Sequence, residues 1–117
     1  KVTGNELHVS NKEIIERALL WGSLWIYLGD KKFSKKEQEK FSKRFGDKTT
    51  VSILGLLNIS NMPIIEKKVM IAYAEASTLL KTDREKITKE LKKIYQEADE
   101  HSEDSKKNFE KLINILN

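Results

Sequence analysis

The sequence predicts an all-α fold: a single compact bundle of five or six helices built around two central apolar ones. Three observations predict it. Breaker residues are scarce, with one proline and five glycines in 117 residues, which disfavours a turn-rich β architecture. Apolar residues recur at helical spacing in one segment after another. Charged residues make up 34% of the chain, against about 25% in an average domain, which suits slender helices with much solvated surface. A chain of this length forms one domain, 1–117, with a core of its own.

The elements follow in order. Residues 1–10 are expected to form an extended lead-in. Asn11 caps a first helix over 11–28, and Gly29 suits a left-handed stop. Its apolar residues (Ile14, Ile15, Ala18, Leu19, Leu20, Trp21, Leu24, Trp25, Ile26 and Leu28) begin as a stripe and then cover the circumference. A helix that is apolar all round belongs at the centre. Gly22 and Ser23 leave a flat spot for a close neighbour. Ser34-Lys35-Lys36-Glu37 is a capping box that opens the second helix. Phe41 and Phe45 share one face of it, Lys36, Lys40 and Lys43 point roughly opposite, and Gly46 closes it. The segment 50–58 has β-branched residues that also suit a strand; a short helix capped by Thr50 is expected, because a lone strand has nothing to pair with.

A fourth helix is expected from Asn61 or Pro63 to Leu80, where proline's missing N–H costs nothing. Its stripe is Ile65, Val69, Ala72, Tyr73, Ala76, Leu79 and Leu80. Ala72, Ala74 and Ala76 slim it to complement Trp21 and Trp25. Thr82-Asp83-Arg84-Glu85 reads as a second capping box, opening a fifth helix with Ile87, Leu91, Ile94, Tyr95 and Ala98 on its stripe. A sixth helix begins near Ser102 or Asp104 and buries Phe109, Leu112, Ile113 and Leu116. The short connections predict antiparallel neighbours.

The charge is unevenly placed. The net charge is +4. Residues 31–48 hold eight Lys/Arg against three acids, a local +5, and the remainder sums to −1. Residues 97–104 hold five acids (Glu97, Asp99, Glu100, Glu103 and Asp104) with no Lys or Arg. Hard cations want several convergent oxygens, but this cluster has neither EF-hand spacing nor a turning glycine. Acids closing one helix and opening the next are its simpler explanation.

Catalytic residue types are few. Cysteine is absent, so thiolate chemistry, disulfides and thiolate zinc sites are excluded. The histidines are His8 and His101 alone, too far apart in sequence for a local metal pair. No nucleophile elbow, phosphate loop or dinucleotide fingerprint occurs. No enzyme activity and no cofactor are expected. The longest apolar stretch, 18–28, is too short for a bilayer, which needs about 20 residues. No signal peptide opens the chain, and a cytoplasmic location is expected. The first residue is Lys1, so the chain reads as part of a longer protein or a processed product.

Two further groups bear on partners. Lys32, Lys36, Lys40, Lys43 and Arg44 form a candidate anion-binding patch of the kind that grips phosphates, although no aromatic platform or arginine-rich reading face accompanies them. Trp21 and Trp25, four residues apart, are core residues or, in the sharper reading, a partner contact.

The segment Leu28-Gly29-Asp30-Lys31-Lys32-Phe33-Ser34-Lys35-Lys36-Glu37 resembles the first acidic segment of the TerB-like (tellurite-resistance) helical domains. In those domains a buried helix ends in an Asp-Gly-type turn, followed by an apolar residue, a small residue and a glutamate opening the next helix. Phe33, Ser34 and Glu37 fit the pattern, and Asp30 fits its aspartate. Residues 74–90 are similar to the second segment, with Asp83 and Glu90 as candidates. Lys31 stands where glycine is usual, and lysines crowd a surface that is normally acidic. The resemblance implies a non-catalytic accessory domain, with Asp30, Glu37, Asp83 and Glu90 as its metal-binding candidates.

The sequence therefore favours a helical interaction or regulatory module contacting a protein partner or sister domain. A TerB-like metal-responsive module is the first alternative. A binder of nucleic acid or an anionic surface through 31–48 is the second.

Overall fold

Residues Gly22 to Gly29 are buried without interruption. No single stripe produces that run; the end of the first helix is enclosed on every side. The computed structural model describes residues 11–30, 33–59, 61–97 and 103–117. The expected lead-in over 1–10 and the candidate Lys32 lie outside them, as do Ala98 to Ser102 and the Asp30 side chain. Among the described residues six α-helices follow one another: α1 (Asn11–Tyr27), α2 (Lys35–Phe45), α3 (Asp47–Ile59), α4 (Met62–Ala76), α5 (Lys81–Glu97) and α6 (Glu103–Leu116), with a 3-10 turn (Leu28–Asp30) after α1. The described residues contain no strand. The fold is the all-α bundle that the sequence predicts.

Helix α1 is the axis of the bundle. It packs most extensively on α4, then on α5 and α6, and more lightly on α2. Ala18, Leu24 and Ile26 of α1 meet a core completed by Ile65, Val69 and Tyr73 of α4, Ile87, Leu91 and Ile94 of α5, and Leu112 and Leu116 of α6. The flat spot at Gly22 has the expected use: a Cβ there would overlap the Tyr73 hydroxyl and crowd Leu91. That hydroxyl donates to the Ala18 carbonyl at 2.7 Å in the buried interior.

Gly29 departs from its expected role. It lies in the 3-10 turn and is not left-handed; Gly46, with φ of 96°, is the positive-φ glycine among the described residues. Gly29 is small because the Ser105 backbone of α6 lies directly against it. Ser105 Oγ donates to the Ile26 carbonyl at 3.0 Å and Asn108 Nδ2 to the Trp25 carbonyl at 3.0 Å. Two of the orphan carbonyls that end α1 are thus satisfied from α6.

Helix α2 opens on the expected capping box. Ser34 Oγ accepts from the Glu37 amide at 3.2 Å, and Glu37 Oε1 accepts from the Ser34 amide at 3.0 Å. An aromatic run seats the helix: Tyr27 stacks on Phe33 at 6.1 Å, Phe33 meets Phe41 edge-on at 5.7 Å, and Phe41 meets Phe45 at 4.7 Å. Segment 50–58 is helical, as expected, but α3 starts earlier, at Asp47. Thr50 is therefore not its cap. Its hydroxyl donates to the Gly46 carbonyl at 2.9 Å, which also accepts the Thr50 amide.

Asn61 caps α4, its side chain accepting from the Ile64 amide at 3.2 Å, with Pro63 in the first turn. The helix ends at Ala76 rather than Leu80. The Ser77 and Thr78 hydroxyls donate to the Ala74 and Glu75 carbonyls at 2.7 Å each. Hydroxyls that compete for carbonyls in this way break the helical ladder. Leu79 turns inward, whereas Leu80 is 72% exposed and leaves the expected stripe; Ala74, expected to slim the helix against Trp21 and Trp25, is exposed. The second capping box does not form. The Leu80 carbonyl accepts from the Asp83 and Arg84 amides at 3.0 Å each, so α5 opens at Leu80, ahead of Thr82. Tyr95 of α5 and Phe109 of α6 stack at 4.6 Å. Phe109 and Ile113 remain half-buried, less covered than expected.

Candidate interaction surface

Helix α3 is the element whose sequence and surroundings disagree. Its apolar residues are Val51, Ile53, Leu54, Leu56, Leu57 and Ile59. At 3.6 residues per turn they leave no gap wider than about 80° around the axis. A helix apolar on all sides is one that is covered on all sides. Yet α3 packs chiefly on α2, and of its apolar residues only Ile53 is buried. Val51 is 68% and Ile59 83% exposed.

The open side is continuous. Lys48, Val51, Ser52, Gly55, Asn58 and Ile59 are all exposed, and helical geometry sets them in one stripe opposite Ile53. At its centre Gly55 is a notch: a Cβ there would meet nothing within 4 Å. Past the corner at the end of α3, Ile64 of α4 is 44% exposed and Ile71 55% exposed. Lys67 and Lys68 stand exposed between them.

The tryptophans are less open than this face. Trp25 is 9% exposed, and its Nε1 is buried without a hydrogen-bond partner. Trp21 is half-buried against the core.

The basic patch is partly tied down. Arg44 bridges α2 to α5, its guanidinium 2.9 Å from Glu90 and 3.3 Å from Glu97. The Lys40 ammonium donates to the Glu97 carbonyl at the end of α5. Lys40, Lys43, Arg44 and Glu97 line a shallow groove between the two helices. Lys35, Lys36, Lys43 and Lys48 are exposed.

The carboxylates singled out by the sequence are spread along the fold. Glu37 is buried and caps α2. Asp83 faces Lys86 at 3.8 Å, and Glu90 faces both Arg44 and Lys93. Asp83 and Glu90 are seven residues apart on one helix, about 10 Å along its axis, so they cannot share one ion. Among the described residues no three of His, Cys, Asp and Glu gather at metal-binding distance. Of the acidic segment 97–104, Glu97 pairs with Arg44, while Glu103 and Asp104 open α6 exposed to solvent. His8 and His101 lie outside the described residues. No helix in the described residues is long and apolar enough to cross a membrane.

The α3 face was legible in part. The run of apolar residues through 50–58 is visible in the sequence; that the helix sits at the edge of the bundle is not. Comparison with protein-family models, curated proteins and solved structures gives no match for this chain.

Proposed function

We propose that this chain is a non-catalytic helical interaction module that binds a protein partner through the open side of α3. One observation carries the reading: a helix with the composition of a core element is covered on one side and leaves Val51 and Ile59 in water. Val51 and Ile59, with Gly55 between them, are the part of this face that a partner would cover. The bundle behind it supplies a mount, since α2, on which α3 packs, is seated by the aromatic run and bridged to α5 by Arg44. The metal-responsive alternative draws less support, because Glu37, Asp83 and Glu90 each serve a local partner.

The test compares two immobilised proteins, the native chain and the double variant Val51→Glu/Ile59→Glu, in one cell lysate. Both positions are exposed, so the variant should keep its melting temperature within a few degrees. The expected result is a retained protein that the native chain holds and the variant does not. Identical retention profiles would remove the reading.

A further inference from the structure

We infer that the occupant of the α3 face is an acidic amphipathic helix, with an apolar stripe flanked by aspartates or glutamates. The inference rests on the interaction reading above and specifies its partner. Charge is the first argument. Residues 33–74 contain eight basic residues and four acidic ones, so the entire net charge of +4 falls in the stretch that carries α2, α3 and most of α4. Three of those four acids are satisfied within the fold: Glu37 caps α2, Asp47 accepts from the Ser42 hydroxyl, and Glu66 pairs with Lys111 at 3.4 Å. Exposed Lys48 lies on the α3 stripe itself, and exposed Lys67 and Lys68 lie between Ile64 and Ile71 on the next helix. Opposite charge across an interface steers encounter and fixes register.

The same lysines argue against a second copy of this chain. A two-fold interface presents the same patch on both sides, so the positive charge of Lys48, Lys67 and Lys68 would be brought up against a second copy of itself with no added acid to offset it. A lipid surface is disfavoured by the shape and composition of the stripe. Membrane-seated faces anchor with tryptophan and other bulky apolar side chains; no aromatic residue lies on this stripe, and its centre is Ser52 and Gly55. Open space around the missing Cβ of Gly55 lets an incoming helix approach the backbone closely.

The experiment uses the full chain and three probes at low salt. The first is a helical peptide with leucines at helical spacing flanked by glutamates. The second has the same leucines flanked by lysines, and the third is a vesicle of mixed zwitterionic and phosphatidylserine lipid. Binding is read by calorimetry for the peptides and by co-sedimentation for the vesicles. The acidic peptide is expected to bind at least tenfold more tightly than the basic one, and to weaken as salt is raised. Gly55→Gln fills the notch with a good helix former at an open position, so it should keep or raise the melting temperature while weakening acidic-peptide binding at least tenfold. Equal affinity for both peptides, no peptide binding, binding unchanged in Gly55→Gln, or binding to vesicles alone would each overturn the inference. If the peptides fail while the lysate comparison still separates native chain from double variant, the partner chemistry is wrong and the interaction reading stands. If both fail, both are wrong.

Discussion

At the scale of single residues, the most informative contact is Tyr73 against α1. The phenol is buried, lies where a Gly22 Cβ would be, and donates to the Ala18 carbonyl. That carbonyl also lies within the ladder of α1, so Tyr73→Phe should cost about 1 kcal/mol at neutral pH. Burial pushes the phenol well above its ordinary value of 10. The sign of the pH effect follows from that. A group whose folded value is raised contributes stability that is fully present below its unfolded value and is lost as pH rises beyond it. Above pH 10 the unfolded tyrosine gives up its proton and the folded one does not. The native chain should therefore lose about 1.4 kcal/mol of stability per pH unit from this group alone, and Tyr73→Phe should not. Denaturant titrations between pH 8 and 11 should show the two stabilities converging above pH 10. A gap that stays constant would mean Tyr73 is not buried as described.

At the scale of elements, two glycines in helices make opposite predictions for one substitution. Gly55 sits in open space, so Gly55→Ala should stabilise by about 1 kcal/mol through helix propensity, a rise of roughly 4 °C in melting temperature. Gly22→Ala should destabilise by about 1–3 kcal/mol, because the added methyl overlaps Tyr73 and crowds Leu91. Thermal melts of both variants decide the matter, and equal shifts would contradict the packing. The sequence showed what depends on local spacing. The Ser34–Glu37 box, the Gly46 stop, the start of α4 near Asn61 and most of the stripes of α4 and α5 depend on residues a turn or less apart. It missed what depends on competition or on distant partners. The motif at Thr82–Glu85 has the letters of a capping box, but the turn at 77–79 sets the start of α5 at Leu80. Gly29 looked like a helix stop, and its neighbour Ser105 belongs to the last helix. The open side of α3 was hidden for the same reason: composition shows that a helix is apolar, and only the arrangement of the others shows which side they leave uncovered.

At the scale of the molecule, α2 and α3 form an arm laid against a tighter body of α1, α4, α5 and α6. The aromatic run and Arg44 hold the arm. Arg44 is 30% exposed on its side chain, and its partners 35% and 58%, so its two ion pairs are worth under about 1 kcal/mol in all. Arg44→Ala should therefore leave global stability nearly unchanged. Amide exchange in α2 and α3 should quicken, while α1, α4 and α5 keep their protection. Raising the salt should narrow the difference between variant and native chain. A uniform change across all helices would show that arm and body open together.

The hydrogen bonds from Ser105 and Asn108 to the end of α1 join positions 79 and 83 residues apart. During synthesis the central helix emerges well before the donors for its last carbonyls. Until they emerge, the Trp25 and Ile26 carbonyls have water for company, and Leu112 and Leu116 are missing from the interior. The bundle can therefore close only once α6 has emerged.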